Sequence, residues 1–151
     1  LLHQSIGTEI LFLTPPSNKF SVGGSMTLVD GVLGDKPWKG DQWLGYSGDT
    51  VLIHFKFEEM KSLTNFKIGF LEDNGSWIYL PRNIHLEKKI EGKWVVFINA
   101  HVSAEQNSLK LNENLNEIRI RVLPNDKIAD GKPGGGHDPW IFIDEIRFEW
   151  K

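Results

Sequence analysis

Apolar and polar residues alternate in short runs along most of this chain. Val51, Ile53, Phe55 and Phe57 are separated by Leu52, His54, Lys56 and Glu58, the period-two signature of a strand buried on one face. Phe66, Ile68 and Phe70 form the next inward row, and Ile84, Leu86 and Ile90 another. Trp94 to Ile98 follows across the turn Glu91-Gly92. Ile118, Ile120 and Val122 are expected to face in, with Arg119 and Arg121 outward. Glu9 to Leu13 reads as a first strand, stopped by Pro15-Pro16, which cannot donate to a ladder. In Glu72 to Ser76, Asn74-Gly75 is expected to supply the positive φ of a tight reversal. Helical periodicity is missing, even at Glu58 to Ser62, which is too short for more than one turn.

Seven or more short strands with turn chemistry between them predict an antiparallel all-β sandwich, with a closed barrel as the alternative. One domain covers residues 1–151, with 1–16 as a lead-in from a preceding domain. Two stretches are long and irregular, roughly Asp30 to Asp49 and Pro124 to Pro139. Loops of that length in a compact domain are usually functional or tied down.

The last strand, Trp140 to Trp150, breaks its own alternation. Ile141 and Ile143 share one face, but Ile146, Phe148 and Trp150 have the opposite parity. One strand cannot bury both sets on one side unless it bulges or bends. Asp144 and Glu145 stand at the break, and buried carboxylates need a compensating partner: a cation, an arginine or solvent.

Composition narrows the function. Aromatics reach 11%, with six Trp and nine Phe, which serves both sandwich cores and sugar-binding surfaces. Net charge is −3 and no Lys/Arg block occurs, which argues against nucleic acid and anionic membrane. No run approaches the ~18 apolar residues of a membrane span. With no cysteine there is neither disulfide nor thiolate metal site. The chain begins at Leu1 and is expected to be a piece of a longer protein or a processed product. The five His form no zinc pattern, and no nucleophile elbow or acid/base pair is present.

Two loops carry candidate chemistry. Asp30 and Asp35 lie around Gly31 and Gly34, a pattern open to two readings: a simple Asp-Gly turn, or oxygen ligands for a hard cation such as Ca²⁺. Gly134-Gly135-Gly136-His137-Asp138 lacks the Lys-Ser/Thr and flanking elements of a phosphate loop. It reads as a plain connection or as a ligand-binding loop with His137 and Asp138 as polar contacts. Trp43 and Tyr46 suit a core cap, Trp38 an exposed ring, and Trp77 either role.

Four segments in order resemble discoidin-like (coagulation factor five/eight type C) domains. These are Leu28 to Gly34, Trp43 to Tyr46, Gly69 to Pro81 with its Ser76-Trp77-Ile78-Tyr79-Leu80-Pro81, and Trp140 to Ile146. The set is most similar to the C-terminal accessory domain of bacterial family 20 glycoside hydrolases, the β-N-acetylhexosaminidases. The resemblance implies an eight-stranded jelly-roll sandwich of the galactose-binding-domain type. It also implies a structural Ca²⁺ held by the carbonyls of Thr27, Val32 and Asp144 and the side chains of Asp30, Asp35 and Glu145. Sugar-binding relatives grip the ligand with loops at one end of the sandwich, and the candidates here are Trp38, Asp41, Asn74, Trp77 and His137. The expected function is a non-catalytic carbohydrate-binding module, acting in cis with a secreted, periplasmic or surface glycosidase. The alternative is a structural domain packed against that enzyme.

Overall fold

The computed structural model describes residues 9–14, 16, 27–28, 43–48 and 50–151. Among them are seven strands: β1 (Glu9–Phe12), β2 (Leu44–Ser47), β3 (Val51–Phe70), β4 (Asn83–Ile90), β5 (Lys93–His101), β6 (Gln106–Leu123) and β7 (Trp140–Trp150). The spatial order is β2-β7-β3-β6-β4-β5, with β1 beside β3, and every pairing between strands is antiparallel.

β3 and β6 are far longer than the alternation predicts, because each runs through both leaves of the sandwich. Their ladder is continuous from Val51↔Val122 to Lys56↔Glu117, then resumes at Lys61↔Leu115. The extra residues on β3 include Glu58, Glu59 and Met60, all exposed. The segment expected to be at most one helical turn is therefore the corner where the sheet folds over. Before the corner β3 is flanked by β1, and after it by β7. The N-terminal strand thus pairs with β3.

The folded sheet closes on one apolar core. Phe148 of β7 meets Phe55, Phe57 and Phe66 edge to face, with centroids 5.1, 5.7 and 5.1 Å apart. The first two rings precede the corner and the third follows it, so Phe148 joins the leaves. Burying one such ring contributes about 1.5–3 kcal/mol, beyond the edge-to-face preference. Trp43 and Tyr46 are buried, as a core cap requires. A smaller cluster of Trp43, Leu71, Ile78 and Phe142 lies on the other side of β7.

The phase change in β7 is a bulge. Ile143 pairs with Phe70 and Ile146 with Ile68, so Asp144 and Glu145 together oppose Gly69. The bulge lets Ile143 and Ile146 enter the same core despite their parity. Asp144 and Glu145 are 1% and 2% exposed. The Asp144 carboxylate occupies the space where a side chain at residue 69 would stand.

One detail of the β4–β5 hairpin differs from expectation. Ile90, assigned to the inward row, is exposed, as are Val95 and Val96 across the turn. The β4–β5 hairpin extends beyond the sandwich, so no opposing leaf covers its tip. Its turn residues Glu91 and Gly92 have φ of 49° and 80°, the paired left-handed geometry of a type I′ turn.

Two stability predictions follow from this geometry. Gly69→Ala places a methyl on the Asp144 carboxylate and within 3.0 Å of Gln106 Nε2. It is expected to cost about 1–3 kcal/mol in urea unfolding. Glu91→Asn puts a left-handed-tolerant residue in the I′ turn and is expected to stabilise by about 0.5–1 kcal/mol in the same measurement.

Candidate functional site

Asn74, Trp77 and His137 come together at one end of the sandwich. The chain leaves β3 at Phe70 and closes a small loop in which Asp73 N–H donates to the Ile78 carbonyl and Ile78 N–H donates back, at 2.9 and 3.1 Å. Inside it, Asn74–Ser76 forms a single 3-10 turn. The Ser76 hydroxyl donates to the Asp73 carboxylate at 3.2 Å. The positive φ falls on Trp77, at 64°, and on neither Asn74 nor Gly75 as the sequence suggested. A left-handed conformation costs a bulky residue about 1–2 kcal/mol. The loop holds it there through main-chain bonds: Trp77 N–H donates to the Asn74 carbonyl at 3.0 Å, and its carbonyl accepts from Trp140 N–H at 2.8 Å. Ile78 beneath it is anchored in the smaller apolar cluster. Strain of this kind in a bulky residue marks a position worth testing for function.

The consequence is an outward ring. Trp77 is 38% exposed and stacks on His137, with centroids 4.7 Å apart and planes 19° from parallel. His137 and Asn74 are both exposed. The loop that supplies His137 is no plain connection. Ile128 N–H donates to the His137 carbonyl and Gly136 N–H to the Ile128 carbonyl, each at 2.8 Å. The Tyr79 hydroxyl donates to the Pro133 carbonyl at 2.8 Å, and Asn125 Nδ2 to the Leu80 carbonyl at 2.8 Å. Gly134, at φ 81°, lets the loop approach: a methyl there would lie 2.7 Å from Trp77 Cγ. The outer side of the stacked indole and imidazole can take the C–H face of a sugar, and the imidazole nitrogens can bond its hydroxyls. Trp38 and Asp41 lie outside the described residues.

The cation candidates divide in the same way. Thr27, Asp144 and Glu145 are described and buried, while Asp30, Val32 and Asp35 lie outside the described residues. Among the described residues no three His, Cys, Asp or Glu side chains gather as a metal site. The adjacent buried carboxylates of the bulge are nonetheless the oxygen donors a hard cation takes.

Another polar and aromatic cluster covers the outer face of the leaf carrying β4 and β5. Arg119 lies over the Trp94 ring at 4.2 Å, and His54 meets that ring edge-on at 5.2 Å. Glu117 bonds His54 Nε2 at 3.2 Å, and Arg119 Nε donates to His54 Nδ1 at 3.5 Å. Burial lowers the His54 pKa against the opposing pull of Glu117. Both imidazole nitrogens are engaged inside the cluster, so it reads as a self-satisfied sheet cover.

The sequence did not single out Tyr79, Asn125, Asp126 or Lys132, which line a concavity of ≈ 320 Å³ on the same surface. The available signal was the length of the Pro124 to Pro139 loop.

No family model and no curated protein matches the chain. Solved structures do. A Streptococcus pneumoniae fucose binding module, SpX-3, superposes with TM-score 0.67 at 12% identity, over 100% of this chain and 99% of that one. The module GH31 CBM32-2, bound to GalNAc, matches with TM-score 0.61 at 18% identity, over 95% and 99%. SpGH29 matches with TM-score 0.63 at 12% identity over 97% of this chain, which spans only 27% of the length of SpGH29. At such identities the likeness is one of fold. The chain has the jelly-roll β-sandwich fold seen in family 32 carbohydrate-binding modules.

Proposed function

We propose that this chain is a non-catalytic carbohydrate-binding module that acts in cis with a bacterial glycoside hydrolase outside the cytoplasm. The observation that carries the reading is the solvent-open Trp77–His137 pair, held on a strained and fully tethered turn at one end of the sandwich. The sugars named with structures of the same fold support it. The match to part of SpGH29 supports a place within a larger polypeptide, and the four ordered segments support a family 20 β-N-acetylhexosaminidase as the parent. Binding the parent's substrate raises its effective concentration at the catalytic domain and adds avidity without chemistry.

A second reading, structural packing against the parent, is favoured by the exposed Ile90, Val95 and Val96 of the β4–β5 hairpin. One measurement separates the two. Glycan-array screening and calorimetry with galactose, N-acetylgalactosamine and N-acetylglucosamine are expected to show binding at millimolar sugar or below. Trp77→Gly suits the left-handed backbone, so it deletes the ring and leaves the turn intact. It is expected to weaken binding about tenfold or more, roughly 1.4 kcal/mol. Absence of binding to every glycan would leave the packing reading in its place.

We propose further that a structural Ca²⁺ compensates the bulge carboxylates. The side chains of Glu145, Asp30 and Asp35 and the carbonyls of Thr27, Val32 and Asp144 would hold it, with the buried Asp144 carboxylate close by. The ion would neutralise charge buried beside Gly69 and tie the 27–35 segment to β7. A ligand of the folded state present at about a hundredfold its Kd stabilises by about 2.7 kcal/mol. EDTA is therefore expected to lower Tm by roughly 5–10 °C, with recovery on excess Ca²⁺. An unchanged Tm after exhaustive chelation counts against the site.

A further inference from the structure

The loop that supplies His137 also lines the concavity of ≈ 320 Å³, through Asp126 to Ala129 and Lys132. Ile128 joins the concavity to the Trp77 ring. It lines the concavity, and its Cδ1 and the Trp77 ring close on Gly134 together, 2.8 and 2.7 Å from where a methyl would sit. The walls are fixed before any ligand arrives, because the Tyr79 and Asn125 side chains bond across to the Pro133 and Leu80 carbonyls. Such preorganisation removes part of the ordering cost of binding.

The rim is different. Asp126, Lys127 and Lys132 are exposed around the concavity, and none has an ion pair or side-chain hydrogen bond among the described residues. A carboxylate accepts hydrogen bonds and an ammonium donates them. Opposite charges at one rim suit a neutral polyhydroxylated unit better than an anion or a cation. The volume lies at the low end of the roughly 300–1,000 Å³ of small-molecule sites, enough for one sugar ring.

We infer that this concavity is a second subsite, so that the ligand is an oligosaccharide of two or more residues. One ring lies on the Trp77–His137 pair and its neighbour enters the concavity, where Asp126, Lys127 and Lys132 bond its hydroxyls. The inference rests on the proposed sugar-binding role of the pair.

Calorimetry on the intact chain tests it by comparing galactose with lactose and N-acetylglucosamine with N,N′-diacetylchitobiose. In whichever pair binds, the disaccharide is expected to bind about fivefold or more tightly than the monosaccharide. Asp126→Ala and Lys132→Ala are each expected to bring that ratio down towards one, whereas Trp77→Gly weakens both ligands. Equal affinity for the two sugars, or a ratio unmoved by both rim variants, overturns the subsite and leaves the platform standing. Absence of binding to all four sugars overturns the subsite and the platform together.

Discussion

The pairing of β3 with β6 around a corner is the constraint on which this domain depends. A strand of period two can bury one face against one partner layer, yet these two strands serve both layers. The ladder survives because the extra residues at Glu58 to Met60 swing outward and let the inward rows on either side point at each other. Phe55 and Phe66 then reach the same Phe148 from opposite leaves. Without the corner those rows would lie far apart on one flat sheet with no core between them.

β7 answers that corner with its own irregularity. Being buried on both sides near its start, it supports two structures at once. Ile141 and Ile143 enter the main core, while Phe142 faces the smaller cluster under the Trp77 turn. Trp140 at its first position holds that turn by main-chain bonds to Trp77 and Tyr79. A few residues on, the bulge resets the parity and buries Asp144 and Glu145. The aromatic platform and the carboxylate pair are thus consecutive features of one strand, so their separation is fixed by backbone geometry.

Legibility in the sequence tracked local periodicity. The inward rows of β3, the Arg119 and Arg121 faces and the bulge at Asp144 were readable because parity alone specifies them. The first half of β6 was not, since Leu109, Leu111 and Leu115 are diluted by Asn, Glu and Lys on the less buried side. The length of β3 was hidden by Glu58-Glu59, whose polarity signals exposure and does not distinguish a corner from a loop. At the site, Asn74, Trp77 and His137 were recognisable by residue type. Their convergence was not, because it depends on a left-handed Trp77 and on hydrogen bonds linking residues more than fifty positions apart. The groove beside Tyr79 was invisible for the same reason.

The β4–β5 hairpin carries a further consequence. Among the described residues β5 has one neighbour, β4, and its run from Trp94 to Ala100 contains no charge. That combination is a template for another chain to add a strand. Lys88, Lys89, Glu91 and Lys93 crowd the hairpin tip, and the register shift opposite Leu86 and Glu87 kinks the edge near Phe97. These act as gatekeepers. Protection of that edge against strand addition therefore rests on a handful of charges and one register shift at a single hairpin.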